Sequence, residues 1–285
     1  MKNNSLEFIS GFFWFIINSM VTKYLNGKEF LKDNKQFLLE NKYETQLIIF
    51  DAEILEECTN LNYALKIEED DKKLVAIKVE PYNLILYGDK SLLGELLIFI
   101  KNSGFEVPGI FCGTDIGNEL MRIAAKTYGE AFFLQLAMDF MICDEITEKS
   151  ANTGVKPDSQ DVTEIVDCLK SFYKECGLSD RPILEKVKAT LDTFRIVKRD
   201  GKIVALARIG RDVEGALRIT TVYTRPEYRG LGLAKTLTND LKNEIIESGK
   251  IATLNVDQNN PVTQHIYSSI GFKKLYSHGI YLIRN

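Results

Sequence analysis

The sequence is short of several things, and each shortage closes a route. It has two histidines, His265 and His278. A zinc site would have to draw scattered ligands from elsewhere, so no metal is expected. Its five cysteines, Cys58, Cys112, Cys143, Cys168 and Cys176, are odd in number, and none forms a CxxC pair. A chain of this length does not depend on disulfide staples, so a reducing, cytoplasmic setting fits. There is no surplus of basic residues: 36 Lys and Arg stand against 40 Asp and Glu, a net charge of -4. That balance lacks the footprint of a nucleic-acid binder. Low-complexity tracts and repeats of solenoid period are absent. An uncharged apolar run does occur at residues 8–21 (FISGFFWFIINSMV). It falls short of the ~20 residues of a membrane span. Glu7 abuts it and no small-residue cleavage site follows. A buried or interface helix is expected there, with a route to a homo-oligomer and no membrane partner.

What is present suits a soluble α/β protein. The chain has 285 residues, of which 45% are hydrophobic and 27% charged. That is enough for two domains with cores of their own. The polar stretch 145–161 contains Gly154 and Pro157 and no aromatic residue. It reads as a linker, which divides the chain into domains 1–150 and 151–285. In the first domain, helical spacing is expected over 30–39, 92–101 and 115–126, and strands over 74–79 and 83–87. Residues 46–51 form a short apolar run, and 132–143 is apolar and ambiguous by period. No motif in this half names a reaction.

The second half is more legible. Ile165, Val166, Leu169 and Phe172 share one side of a helix over 162–175, and a second helix is expected over 183–191. A hairpin follows, with strands 194–198 and 202–208 about Arg199-Asp200-Gly201. A loop at 210–215 leads to a strand over 217–224. Leu233, Leu237, Leu241 and Ile245, four apart, mark a helix that stops at Gly249. Ala252, Leu254 and Val256 alternate as in a strand. Asn260 is a good helix cap and Pro261 suits a first helical position. A final strand follows Gly271, over 272–283, and His278 beside Gly279 is expected in a turn.

Between the strand ending at Thr224 and the helix beginning at Leu233 lies Arg225-Pro226-Glu227-Tyr228-Arg229-Gly230-Leu231-Gly232-Leu233-Ala234. A helix N-terminus offers unpaired N–H groups and partial positive charge. Glycines let a diphosphate approach the backbone closely. The segment is no P-loop, since GxxxxGK[ST] is missing, and Lys235 stands where a dinucleotide fingerprint needs its third glycine. Two glycines in a turn would by themselves mark only a turn.

A second segment, Asn260-Pro261-Val262-Thr263-Gln264-His265-Ile266-Tyr267, continues to Gly271-Phe272. Together the two segments resemble the GNAT superfamily of N-acetyltransferases. Its acyl-CoA signature Q/R-x-x-G-x-G/A is matched by Arg229, Gly232 and Ala234. The later Asn, Tyr and Gly-Phe are matched by Asn260, Tyr267, Gly271 and Phe272. The resemblance covers residues 153–285. It extends to a bacterial group of two-domain GNAT proteins whose first half looks like a degenerate GNAT domain. Residues 1–150 carry no R-x-x-G-x-G/A, so no acetyl-CoA site is expected there.

The resemblance implies a mixed α/β fold, acetyl-CoA as donor and direct attack by an amine in a ternary complex. Val222, Tyr223 and Thr224 would pair with the pantetheine arm. Arg229, Gly230, Leu231, Gly232, Leu233, Ala234 and Lys235 would hold the pyrophosphate, and Asn260 would contact CoA or only cap its helix. Tyr267 would act as general acid toward the departing thiolate. The strand 217–224 has no Asp or Glu to act as base. Glu214 and Asp257 flank the region, and neither is assigned. The acceptor would be a small-molecule or peptide amine. Two other readings stay open: a non-catalytic acyl-CoA sensor, and a partner-binding module that uses residues 8–21.

Overall fold

Each segment's pattern fixes its element, and the elements fall into the same order twice. The computed structural model describes residues 20–127, 129–148, 154–177 and 182–284. The apolar run at 8–21 lies outside these except for Met20 and Val21. The described residues divide into two compact units, one from residues up to Met138 together with Tyr276 onward, the other Asp139–Leu275. The chain therefore crosses between the units twice. The first crossing lies within an unbroken strand upstream of the polar stretch, and the second within the final strand.

The first unit contains β1 (Val21–Lys23), α1 (Gly27–Glu40), α2 (Lys42–Ile54), β2 (Tyr63–Glu69), β3 (Lys72–Lys78), β4 (Leu84–Gly88), α3 (Leu93–Asn102), β5 (Ile110–Gly113) and α4 (Thr114–Thr127). It also takes most of β6 (Phe132–Cys143) and of β11 (Lys273–Ile283). Strands β1 to β4 are antiparallel neighbours, β4 and β5 run parallel, and β11 pairs antiparallel with β5. One core cluster joins Leu65, Ile67, Leu74, Leu86, Leu96, Leu120 and Tyr281. Such alternation along the strands leaves their other residues facing away from this cluster. The apolar run 46–51 is the middle of α2, where it buries Ile48 and Ile49.

The second unit contains α5 (Val162–Glu175), α6 (Leu184–Ala189), β7 (Phe194–Arg199), β8 (Lys202–Val213), β9 (Ala216–Thr224), α7 (Leu233–Glu247), β10 (Ile251–Asp257) and α8 (Pro261–Ser268). Strands β7, β8 and β9 are antiparallel, and β10 runs parallel to β9. Two helices, three antiparallel strands, a helix, a parallel strand, a helix and a last strand thus follow one another twice along the chain. Leu237, Leu241, Ala252, Leu254, Val256 and Phe272 form one core with α7 and α8. Ile165, Leu169, Phe194, Ile203, Leu206 and Tyr223 form another, under α5.

Two sequence expectations need revision, and one ambiguity is resolved. Residues 210–215 are not a loop: β8 runs to Val213, and Glu214-Gly215 alone make the turn, with φ of 52° and 81°. Asp200-Gly201 turns the preceding hairpin in the same way, at 49° and 77°. Positive φ at both positions is the two-residue geometry that matches strand twist. The ambiguous 132–143 is one long strand. His278 is not in a turn but inside β11, paired opposite Gly113 and 2% exposed. Gly279 marks close packing there, since a Cβ would meet Leu134 Cδ1 at 2.7 Å. Among the described residues, no helix is long and apolar enough to cross a membrane.

Candidate functional site

Strands β9 and β10 stay in register from Ala216↔Ile251 to Arg218↔Thr253 and no further. Beyond that point they border a cleft of about 970 Å³ within the second unit. A bulge shapes the β9 wall. Opposite β8, the pairing passes from Leu206↔Tyr223 to Arg208↔Thr220, so β9 holds one residue more than its partner. Thr221 takes φ 54° there, in the left-handed region, and is 8% exposed. A bulged residue leaves the ladder, and a β-branched side chain at positive φ is strained. The strain sits on the cleft wall, which Thr221 lines.

At the end of β9 the chain is pinned twice. Arg225 Nε donates to the Ile203 carbonyl at 2.6 Å, and its guanidinium pairs with Glu164 at 3.0 Å. Arg229 Nε donates to the Thr224 carbonyl at 3.0 Å, and its other end pairs with Glu175 at 2.6 Å. Gly230 and Gly232 follow, at φ 78° and 74°. Nothing lies within 4 Å of a Cβ built on either. Their need for glycine is therefore conformational rather than steric. Gly232 stands at the N-cap of α7, and among the described residues no cap side chain accepts from the first turn. The N–H groups and partial positive charge at its start are open to an anion.

The structure places Val222, Tyr223, Thr224, Arg229, Gly230, Gly232, Leu233, Ala234, Lys235, Asn260 and Tyr267 on this one cleft. Leu231 is the exception among the residues singled out from sequence; it is 67% exposed and does not line the cleft. Asn260 caps α8 by accepting from Thr263 N at 3.2 Å. Tyr267 packs edge-on against Phe272, with ring centroids 6.2 Å apart. Burial pushes its phenol up to about 12, so it holds its proton at neutral pH. Thr224 Oγ1 and Asn255 Oδ1 are buried in the cleft walls with no hydrogen-bond partner among the described residues.

Sequence reasoning missed Arg218, Thr220, Thr221 and Asn255, which also line the cleft. No motif marks them, and only the strand register shows where they point. Of the two carboxylates considered as base, Asp257 lines the cleft and Glu214 lies in the β8–β9 turn. Asp257 Oδ1 accepts from Asn259 N at 2.8 Å. Cys176 is at the cleft edge, and burial, with Glu175 and Asp257 nearby, pushes its thiol up. It is therefore not a ready thiolate. Among the described residues, no three His, Cys, Asp or Glu side chains gather as metal ligands would.

A family model described as FR47-like protein matches residues 196–281, the span from β7 through most of β11. The search of curated proteins finds no match. Among solved structures, a GCN5-related N-acetyltransferase from Sphaerobacter thermophilus is 14% identical, with 83% of this chain and 84% of that one covered at TM-score 0.60. A GNAT-family acetyltransferase from Colwellia psychrerythraea is 14% identical over 92% and 98% of the two chains, at TM-score 0.57. A Drosophila protein of 11% identity is similar over 93% and 98%, at TM-score 0.59. The chain has the GNAT fold. The first unit repeats the GNAT element order without the open cradle. After β4, Asp89 Oδ1 accepts from Ser91 N at 2.8 Å, so a carboxylate caps the turn whose counterpart in the second unit has a glycine at the cap.

Proposed function

We propose that the second unit is an acetyl-CoA-dependent N-acetyltransferase acting on a primary amine. The observation that carries this reading is the uncapped start of α7, opening through two left-handed glycines onto the cleft that also holds Tyr267. The diphosphate of CoA suits that helix start, where N–H groups and the helix dipole both favour an anion. The pantetheine arm would run along Val222 to Thr224 as an added strand does, with the bulged N–H groups near Thr221 available to the thioester oxygen. The amine nitrogen attacks the carbonyl carbon, the C–S bond breaks, and the thiolate takes a proton from Tyr267. The surplus proton of the amine leaves to water or to Asp257, and the Tyr267 phenolate regains a proton from water. The products are the acetylated amine and CoA.

Titration with acetyl-CoA by calorimetry tests the cradle. Gly232→Glu should weaken binding at least about 100-fold, because it sets a carboxylate and a side chain where the diphosphate belongs. Circular dichroism and the melting curve check that the variant still folds. Wild-type protein that does not bind acetyl-CoA would refute the reading. Binding without CoA release across a broad amine panel would leave a sensor of acyl-CoA in place of an enzyme.

A further inference from the structure

The first unit has a pocket of its own, of about 480 Å³. None of its lining residues belongs to the cleft of the second unit. Strands β4 and β5 pair from Leu84↔Ile110 to Leu86↔Cys112 and no further. Leu84, Leu86, Ile110 and Cys112 pack in the core with α3 and α4. Because side chains alternate along a strand, Ile85, Tyr87 and Phe111 face the other way. The register carries that face into β11, where His278 stands opposite Gly113 and Tyr276 lies two residues before it. Phe37 of α1 and Glu44 of α2 cover the pocket from the helix side, and Asp115 of α4 lines its edge.

Two properties define what the pocket can take. The first is its aromatic wall. The rings of Phe37 and Tyr87 are 5.3 Å apart, and those of Phe111 and Tyr276 are 4.7 and 5.4 Å from His278. None of Phe37, Tyr87, Phe111 and Tyr276 is fully buried, so part of each ring is open to a ligand. The second property is charge. Glu44, Asp71, Asp89 and Asp115 line the pocket, against Lys72 and Lys73. Lys73 already pairs with Glu68 at 2.9 Å and sits over the Phe37 ring. Glu44 and Asp115 make no ion pair among the described residues. Burial, and then the charge of Asp115, raise the Glu44 carboxyl. Like charges facing one space disfavour each other, and a cation brought between them relieves both.

An ammonium group answers both properties. Its N–H groups make charge-assisted hydrogen bonds to carboxylates, and aromatic faces attract its charge. The size of the pocket is that of a small-molecule site. We propose that the first unit binds a small organic primary amine here. Its ammonium lies at Glu44 and Asp115, and its apolar body lies on Tyr87 and Phe111. The unit without the diphosphate cradle thus has a ligand site of the opposite charge preference. This site is separate from any acceptor position in the second unit, and it does not depend on the acetyltransferase reading.

Calorimetry on the full chain tests the site, with phenethylamine as probe and phenethyl alcohol as its uncharged counterpart. The amine should bind at least about tenfold more tightly than the alcohol. Glu44→Gln should remove most of that preference, and Phe111→Leu should weaken the amine about threefold. Gly232→Glu, which targets the donor cleft of the second unit, should leave amine affinity within about twofold of wild type. Equal affinity for amine and alcohol overturns the proposal, as does a preference that Glu44→Gln leaves unchanged. Amine binding lost in Gly232→Glu would put the ligand in the second unit and overturn it as well. So would the absence of amine binding at millimolar concentration, whether or not acetyl-CoA binds. If Glu44→Gln does not fold, Asp115→Asn, at an exposed position, decides the charge preference.

Discussion

Tyr267 shows how one side chain can carry both packing and chemistry. Its ring belongs to the core under α7 and α8, while its hydroxyl makes no hydrogen bond among the described residues and the residue lines the cleft. Desolvation holds the phenol protonated, at about 12, which is the form a thiolate leaving group needs. Tyr267→Phe keeps the packing and removes the proton. We expect kcat to fall about 100-fold, within the usual range for a general acid, with acetyl-CoA affinity nearly unchanged. Calorimetry beside steady-state kinetics separates the two, and equal losses in both would refute the acid role. Because the phenol stays neutral well above pH 9, its titration should not set an alkaline limb in kcat below that pH.

The elements around the cleft divide into those with local signals and those without. The α7 stripe of Leu237, Leu241 and Ile245, the Asn260-Pro261 start of α8 and the Asp200-Gly201 turn were all visible as short patterns, because caps, turns and helix faces are chosen by neighbouring residues. Strand β5 was not, since four residues buried by tertiary packing carry no period of their own. The bulge at Thr221 was equally invisible. Nothing in Ile219-Thr220-Thr221-Val222 announces an extra residue, which exists only relative to β8. The bulge can be seen by hydrogen exchange. The amides of Thr221 and Val222 should exchange faster than those of Ile203 to Leu206, and acetyl-CoA should slow them at least about tenfold. Exchange at these two positions that ignores the ligand would remove the bulge from the binding site.

Across the whole chain, stability should vary with pH chiefly through the first unit. Asp51 of α2 is 3% exposed, and burial raises its carboxyl from 3.8 to about 7. A raised folded value means the proton is held more tightly in the folded state. The contribution is therefore complete below about pH 4 and is lost as pH rises through 7. Each pH unit between those limits is worth at most about 1.4 kcal/mol. Asp51→Asn should flatten the fall in melting temperature between pH 5 and 8, and raise stability most at pH 8. Identical pH profiles for the two proteins would show that Asp51 titrates normally. Asp33 and Glu68 act in the opposite sense, since Lys66 lowers both, and their contribution is lost in acid.

The second crossing of the chain has a consequence for biosynthesis. The first unit includes Tyr281, which is 1% exposed and packs on Gly117 of α4, and β11 completes the ladder beside β5. A ribosome delivers all of Asp139–Leu275 before those residues emerge. The unit begun first is thus closed last, with the edge of β5 uncovered while its successor is being made. An open strand edge invites wrong pairings, so this interval of synthesis, rather than the finished fold, is where the protein most needs a chaperone.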